Sequence, residues 1–155
     1  MMRIVQGDFG DPHVRDLLHI HLARARAETA PGSAHALDIG GLQTPDIRFW
    51  TIWDDQKLMG FGALKRISAD HGEVKSMHTA EAMRGRGAGS AMLRHIISTA
   101  RASGMQRLSL ETGSSEYFRP ARAFYRSHGF LECAPFADYV LDPHSVYMSL
   151  DLRES

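Results

Sequence analysis

Hydrophobic and polar positions along the chain repeat with two periods, one of two residues and one near 3.6. The switches between them mark the elements. Arg3 to Val5 reads as a short first strand. Asp11-Pro12 has the chemistry of a helix start, a capping carboxylate followed by a residue that needs no N–H there. Val14, Leu17, Leu18, His21, Leu22 and Ala25 then fall on one helical face. Pro31-Gly32 closes that segment, and 33–44 reads as loop or broken helix. Two β-rich runs, 47–53 and 58–66, flank Asp54-Asp55-Gln56-Lys57 and predict a hairpin. A further strand spans 72–79. Past a glycine-rich turn, Leu93, Ile96, Ile97 and Ala100 recur at helical spacing until Gly104 stops them. Strand 107–112, helix 117–128 closed by Gly129, and strands 130–132 and 146–152 complete the order β-α-β-β-β-α-β-α-β-β. That order predicts an α/β (α+β) fold, a mixed sheet with helices on both faces. The strand–helix–strand unit around the glycine turn implies locally parallel strands and a right-handed crossover.

At 155 residues, 1–155 is expected to form a single domain with a full core. Hydrophobic content of 43% and charged content of 23% are globular values. Eighteen basic residues balance eighteen acidic ones, so the chain lacks the basic footprint of a general nucleic-acid binder. The lone Cys133 excludes an internal disulfide and fits a reducing cytosol. No apolar run reaches membrane-span length, and Met-Met-Arg-Ile-Val lacks a signal-peptide pattern. The expectation is a cytoplasmic protein without a membrane partner.

The candidate chemistry concentrates between Glu73 and Ser90. A strand enters Arg84-Gly85-Arg86-Gly87-Ala88-Gly89-Ser90, and an apolar helix leaves it. Glycines remove the Cβ atoms that keep an anion from the backbone, and the N–H groups of a helix start point at phosphate oxygens. No Gly-Lys-Ser/Thr closes the turn, so it is not a Walker loop. Gly85, Gly87 and Gly89 read G-x-G-x-G with Ser90 following, a poor dinucleotide fingerprint. Glu111 nevertheless lies about where a ribose-binding acid would, which leaves a dinucleotide enzyme such as a dehydrogenase as one reading. A flexible surface turn with solvated Arg84 and Arg86 is the bland alternative.

Arg84, Gly87 and Gly89 also form Arg-x-x-Gly-x-Gly, which resembles the acetyl-CoA-binding turn of the GNAT superfamily of N-acetyltransferases. Downstream, Arg122-Ala123-Phe124-Tyr125-Arg126-Ser127-His128-Gly129-Phe130 is similar to the family's second signature. Upstream, Glu73 stands where several members carry a catalytic glutamate. These features cover roughly residues 45 to 131. Leu108-Ser-Leu-Glu-Thr-Gly113 and Asp142-Pro-His-Ser-Val146 resemble a bacterial branch of undefined substrate. The resemblance implies a GNAT-like fold, a mostly antiparallel sheet of about seven strands. It also implies that the strands flanking the glycine turn splay to admit a pantetheine arm.

The same resemblance distributes roles. Acetyl-CoA is the expected acetyl donor. Arg84, Gly85, Arg86, Gly87, Ala88, Gly89 and Ser90 would hold its pyrophosphate. Met77, His78 and Thr79 would run beside pantetheine as if it were an added strand. Arg122, Phe124 and Tyr125 complete the expected contacts. Many members have an asparagine where this chain has Phe118, so Arg119 or Arg122 would approach the donor instead. Tyr125 is the candidate general acid for the CoA thiolate, with aromatic packing beside Ala121, Phe124 and His128 as the alternative.

A primary amine with pKa about 10.4 arrives protonated, so a base is useful, worth roughly 10²–10⁴ in rate. Glu73 is the first candidate. Its alternative is a solvated strand-end carboxylate paired with Lys75, which would lower its basicity. Glu111 is the competing carboxylate, and proximity alone is a third option.

The nine histidines form no recognisable ligand set. His19 and His21 point to different helix faces, and His71 and His78 have opposite strand parity. No metal site is expected. Cys133 reads as a small buried residue. In the loop 134–145, Phe136, Asp138 and Tyr139 either wall the acceptor pocket, with Asp138 attracting a cationic amine, or pack on the sheet. His35 is a weaker acceptor-side candidate. The expected activity is transfer of acetyl from acetyl-CoA to a primary amine, by direct attack in a ternary complex. The acceptor is a small molecule or a protein amine, and the enzyme a possible homodimer. A non-catalytic acyl-CoA-sensing module on the same fold is the other reading.

Overall fold

The computed structural model describes residues 1–30, 32–33 and 37–153. In chain order the elements are β1 (Met2–Gln6), α1 (Pro12–Ala27), β2 (Ile47–Asp54), β3 (Lys57–Arg66), β4 (His71–Thr79), α2 (Ala88–Ala102), β5 (Arg107–Gly113), α3 (Arg119–Ser127), β6 (Leu131–Cys133) and β7 (Ser145–Asp151). The strands form one seven-stranded sheet in the order β1-β2-β3-β4-β5-β7-β6. Only β4 and β5 run parallel among these neighbours. The expected mixed, mostly antiparallel architecture is the one observed.

Local chemistry accounts for the boundaries. The Asp11 carboxylate accepts from the His13 N–H at 2.8 Å and caps α1. The hairpin closes through Asp54 opposite Lys57, with Asp55 at φ 52, a left-handed value that aspartate tolerates. The helix expected from 117 begins later, because Glu116–Phe118 is a 3₁₀ turn and the α-helix starts at Arg119. Pro120 explains the shift. A helix starting at 117 would place it where an N–H must bond, whereas Arg119 puts it in the first turn.

Two cores sandwich the sheet. On one face α2 inserts Leu93, Ile96 and Ala100, all 0% exposed, against Leu64, Leu108 and Leu110. Gly62 permits that approach, since a Cβ there would lie 2.6 Å from Met92 Cγ. Each buried Leu or Ile there contributes about 1.5–3 kcal/mol through burial. On the other face α1 packs Val14, Leu17 and Leu18 on Phe49 and Phe61.

Two irregularities in β4 make room for a site. Ala63 opposes Ser76 while Leu64 opposes Val74, so Lys75 is an extra residue, a β-bulge. Beyond the bulge the side-chain alternation is reset. Ser76 and His78, opposite Ala63 and Phe61, therefore turn to the α1 face, where Glu73 also lies. This corrects the parity expected for His71 and His78, which share that face. Secondly, β4 pairs with β5 only through His71–Arg107, Gly72–Leu108 and Glu73–Ser109, and then the strands part. The expected splay is present and begins at Glu73.

Candidate active site

The gap between β4 and β5 opens into a cavity of about 710 Å³ that reaches from the glycine turn to the C-terminal half of α1. At the turn, Gly85 and Gly87 take φ of 79° and 84°, which other L-residues adopt only with strain. No neighbour crowds either position, so backbone conformation, not space, demands glycine there. Gly87 is the N-cap of α2, and its carbonyl accepts from the Ala91 N–H at 3.0 Å. Among the described residues, the N–H groups from Gly85 to Ser90 meet no protein acceptor. They form a backbone nest at the positive end of α2, suited to a diphosphate. Gly89 and Ser90 line the cavity with Ala88, and Ser90 Oγ also meets His128 Nε2 at 3.2 Å.

The arginines divide. Arg84 lines the cavity and Arg86 does not; the Arg86 charge instead acts on Asp54 at the end of β2. Arg122, expected at the donor, is also off the cavity. Its guanidinium donates to the carbonyls of Gly113 at 2.7 Å and Ser115 at 2.9 Å, so it braces the end of β5. Arg119 pairs with Glu116 at 3.6 Å in solvent. Phe118 occupies the ground these side chains left, its ring seated on Gly113, where a Cβ would come within 2.0 Å of Phe118 Cδ2.

Met77, His78 and Thr79 all line the cavity, and past Glu73 the β5 side of β4 carries no strand partner. The open edge is what an extended pantetheine arm needs. The His78 side chain, however, belongs to the α1 side. Its Nδ1 lies 3.2 Å from His21 Nδ1, and its ring stacks on Phe61. Burial lowers both histidines to about 4, so both are neutral at pH 7. One Nδ1 donates to the other, which leaves the pair with one Nε2 donor and one Nε2 acceptor.

Tyr125 lies on the cavity wall, edge-on to Phe124 and Phe130 at ring separations of 5.4 and 5.8 Å. It packs as its aromatic alternative expects and also reaches the cavity. Burial pushes its hydroxyl up to about 12, so it carries its proton at neutral pH.

The two carboxylates face the same cavity with different surroundings. Glu73 is 3% exposed, which overturns the solvated reading. Its Oε2 accepts from the Tyr139 hydroxyl at 2.7 Å and from Lys75 Nζ at 3.4 Å. Lys75 Nζ also donates to the Tyr139 oxygen at 2.8 Å, closing a three-residue ring of contacts. Burial, then the Glu73 charge and hydrogen bond, drive the Tyr139 hydroxyl far above its ordinary value. Glu111, on β5, is raised to about 7, first by burial and further by Glu73 and Asp142, against the pull of Lys75. That value suits a group that must both gain and lose a proton near neutrality.

Of the loop residues, Tyr139 lines the cavity, while Phe136 is buried against Tyr139 and Tyr147. Asp138 is exposed and off the cavity, so it is not the expected ammonium attractor. His35 lies outside the described residues. Among those described, no group of His, Cys, Asp or Glu could hold a metal ion, and no helix is long and apolar enough to cross a membrane. The Tyr139 link, the buried Ser76 hydroxyl and the His21–His78 pair were not legible in the sequence. The one available signal was the aromatic density of the 134–145 loop.

The chain belongs to the Acetyltransferase (GNAT) family, whose sequence model matches residues 14–130 and so spans the bulged strand, the splay and the glycine turn. It is an N-acetyltransferase. It is 43% identical over 155 residues to the Escherichia coli (strain K12) protein named Uncharacterized N-acetyltransferase YedL, covering 100% of this chain and 98% of that one. It is 44% identical over 151 residues to Uncharacterized N-acetyltransferase YsnE of Bacillus subtilis (strain 168), covering 97% and 100%. Its fold superposes on the crystal structure of a Klebsiella pneumoniae protein provisionally assigned as an acyl-CoA N-acyltransferase. There the TM-score is 0.78 with 27% identity, over 98% of each chain.

Proposed function

We propose that this enzyme transfers the acetyl group of acetyl-CoA to a primary amine by direct attack within a ternary complex. The observation that carries the reading is the single cavity joining the unpartnered N–H groups of the turn, the open edge of β4, and two carboxylates at its far end. The donor's diphosphate would sit on Gly85–Ser90 and its pantetheine along Met77–Thr79. The thioester would then stand where β4 parts from β5.

Glu111 is assigned as the proton acceptor. Its pKa near 7 lets it take a proton from the incoming ammonium and release it to solvent. Glu73 is already engaged by the Tyr139 hydroxyl and by Lys75 Nζ, which leaves it less free to meet an incoming ammonium. The amine nitrogen then forms a bond to the thioester carbon and the carbon–sulfur bond breaks. Tyr125 gives its proton to the thiolate, and the excess proton on nitrogen restores Tyr125 through solvent. Holding both substrates in one cavity supplies the remaining advantage.

The test is release of CoA thiol from acetyl-CoA across a broad amine panel, beside calorimetric titration with acetyl-CoA. Saturable binding with amine-dependent release is expected. No binding and no release with any acceptor would refute the reading.

A further inference from the structure

Lys75 is out of place in a pocket built only for a cation. Its side chain is 9% exposed, it lines the cavity, and it lies on the face that already holds Glu73, two residues away. An ammonium has three N–H donors. One goes to the Tyr139 oxygen at 2.8 Å and one reaches Glu73 at a long 3.4 Å. A buried ion pair is favourable only when the remaining donors are satisfied too, and the third Lys75 N–H has no acceptor among the described residues. Beside it, Ser76 lines the cavity, and its Oγ is buried with no hydrogen-bond partner among the described residues. The neutral His21–His78 pair adds no competing charge.

A bare ammonium approaching Glu111 would meet Lys75, whose charge Glu73 offsets at 3.4 Å, and would leave the last Lys75 N–H without an acceptor. An amine substrate with its own anion would bind that N–H. We propose that the acceptor is a small amino acid–type zwitterion, its ammonium directed to Glu111 and its carboxylate bound by Lys75 and Ser76. This rests on the acetyl-transfer reading of the cavity, and it excludes a protein N-terminus, where the neighbouring carboxylate is an amide.

The test uses the full chain and acetyl-CoA with the twenty proteinogenic amino acids, their carboxamides, and the matching decarboxylated amines. The readout is kcat/KM by thiol release. At least one amino acid is expected to exceed its carboxamide and amine by tenfold or more, the scale of a charge-assisted hydrogen bond. Lys75→Met is expected to reduce that preference to threefold or less. Its acetyl-CoA affinity, measured by titration, should stay within threefold. Lys75→Gln serves if the methionine variant does not fold. Carboxamides or plain amines working as well as the acids would overturn the inference and leave the acetyl-transfer reading standing. So would a preference that survives loss of Lys75. Absence of acetyl-CoA binding and of all thiol release would remove both.

Discussion

The Tyr139 hydroxyl donates to Glu73 Oε2 at 2.7 Å across 66 residues of chain, and Lys75 Nζ donates back to the same tyrosine oxygen. This pins the loop before β7 onto β4 at the point where β4 leaves β5. Tyr139→Phe removes one acceptor from Lys75 and one donor from Glu73. A loss of about 1.5–3 kcal/mol in urea denaturation is expected, because two buried ionisable side chains each lose a hydrogen bond and keep only their long 3.4 Å contact with each other. A change under 0.5 kcal/mol would show that water replaces the hydroxyl and that the contact is incidental.

Glu111 makes a pH prediction with a defined sign. Its folded pKa, about 7, lies above the ordinary 4.5, so folding favours the protonated form. Its stabilising contribution is complete below pH 4.5 and lost as pH rises through 7. Activity runs oppositely, since the base works only when ionised. The kcat/KM profile is expected to rise with an apparent pKa near 7. Glu111→Gln should lower kcat by roughly 10²-fold or more and flatten that limb. A wild-type profile with unchanged midpoint in Glu111→Gln would transfer the base role elsewhere.

The His21–His78 pair predicts acid lability. Both folded pKa values, about 4, lie below the ordinary 6.5. The stability that the neutral rings contribute is therefore complete above pH 6.5 and is lost as pH falls through 4. His78→Gln cannot take up that proton, so thermal melts between pH 6.5 and 4 should show a shallower fall in Tm than wild type. Parallel curves would mean that the rings protonate without cost.

Gly87→Asp tests the diphosphate nest. The φ of 84° strains any side chain there by about 1–2 kcal/mol, and the added carboxylate would meet a phosphate. A fall in acetyl-CoA affinity of at least tenfold is expected, with far-UV circular dichroism unchanged. Gly87→Ala separates the two effects, carrying the strain without the charge, and should retain most of the binding.

Tyr125→Phe separates acid from packing. The ring contacts with Phe124 and Phe130 survive, so acetyl-CoA affinity should change less than threefold. Turnover should drop tenfold or more if the hydroxyl protonates the thiolate. Full turnover would leave Tyr125 a packing residue.

Much of this was written in local sequence. Periodicity located the strands and helices because a half-buried strand alternates and a half-buried helix repeats every 3.6 residues, whatever surrounds them. Asp11-Pro12 set the start of α1, and Pro120 sets that of α3, by needs that belong to single residues. Gly85 and Gly87 marked the anion turn because only glycine takes those backbone angles freely. Tertiary structure decided the rest. A β-bulge is a mismatch between two strands and leaves no mark on one of them, so the turning of Ser76 and His78 to the α1 face was invisible. Arg122 and Arg86 had the right chemistry for phosphate, but what a long cation touches depends on which carbonyls and carboxylates the fold brings near. The different surroundings of Glu73, held by Tyr139 and Lys75, and of Glu111, raised by burial, followed from packing and from a tyrosine far along the chain. Those are properties of a packed interior, and no run of neighbouring residues encodes them alone.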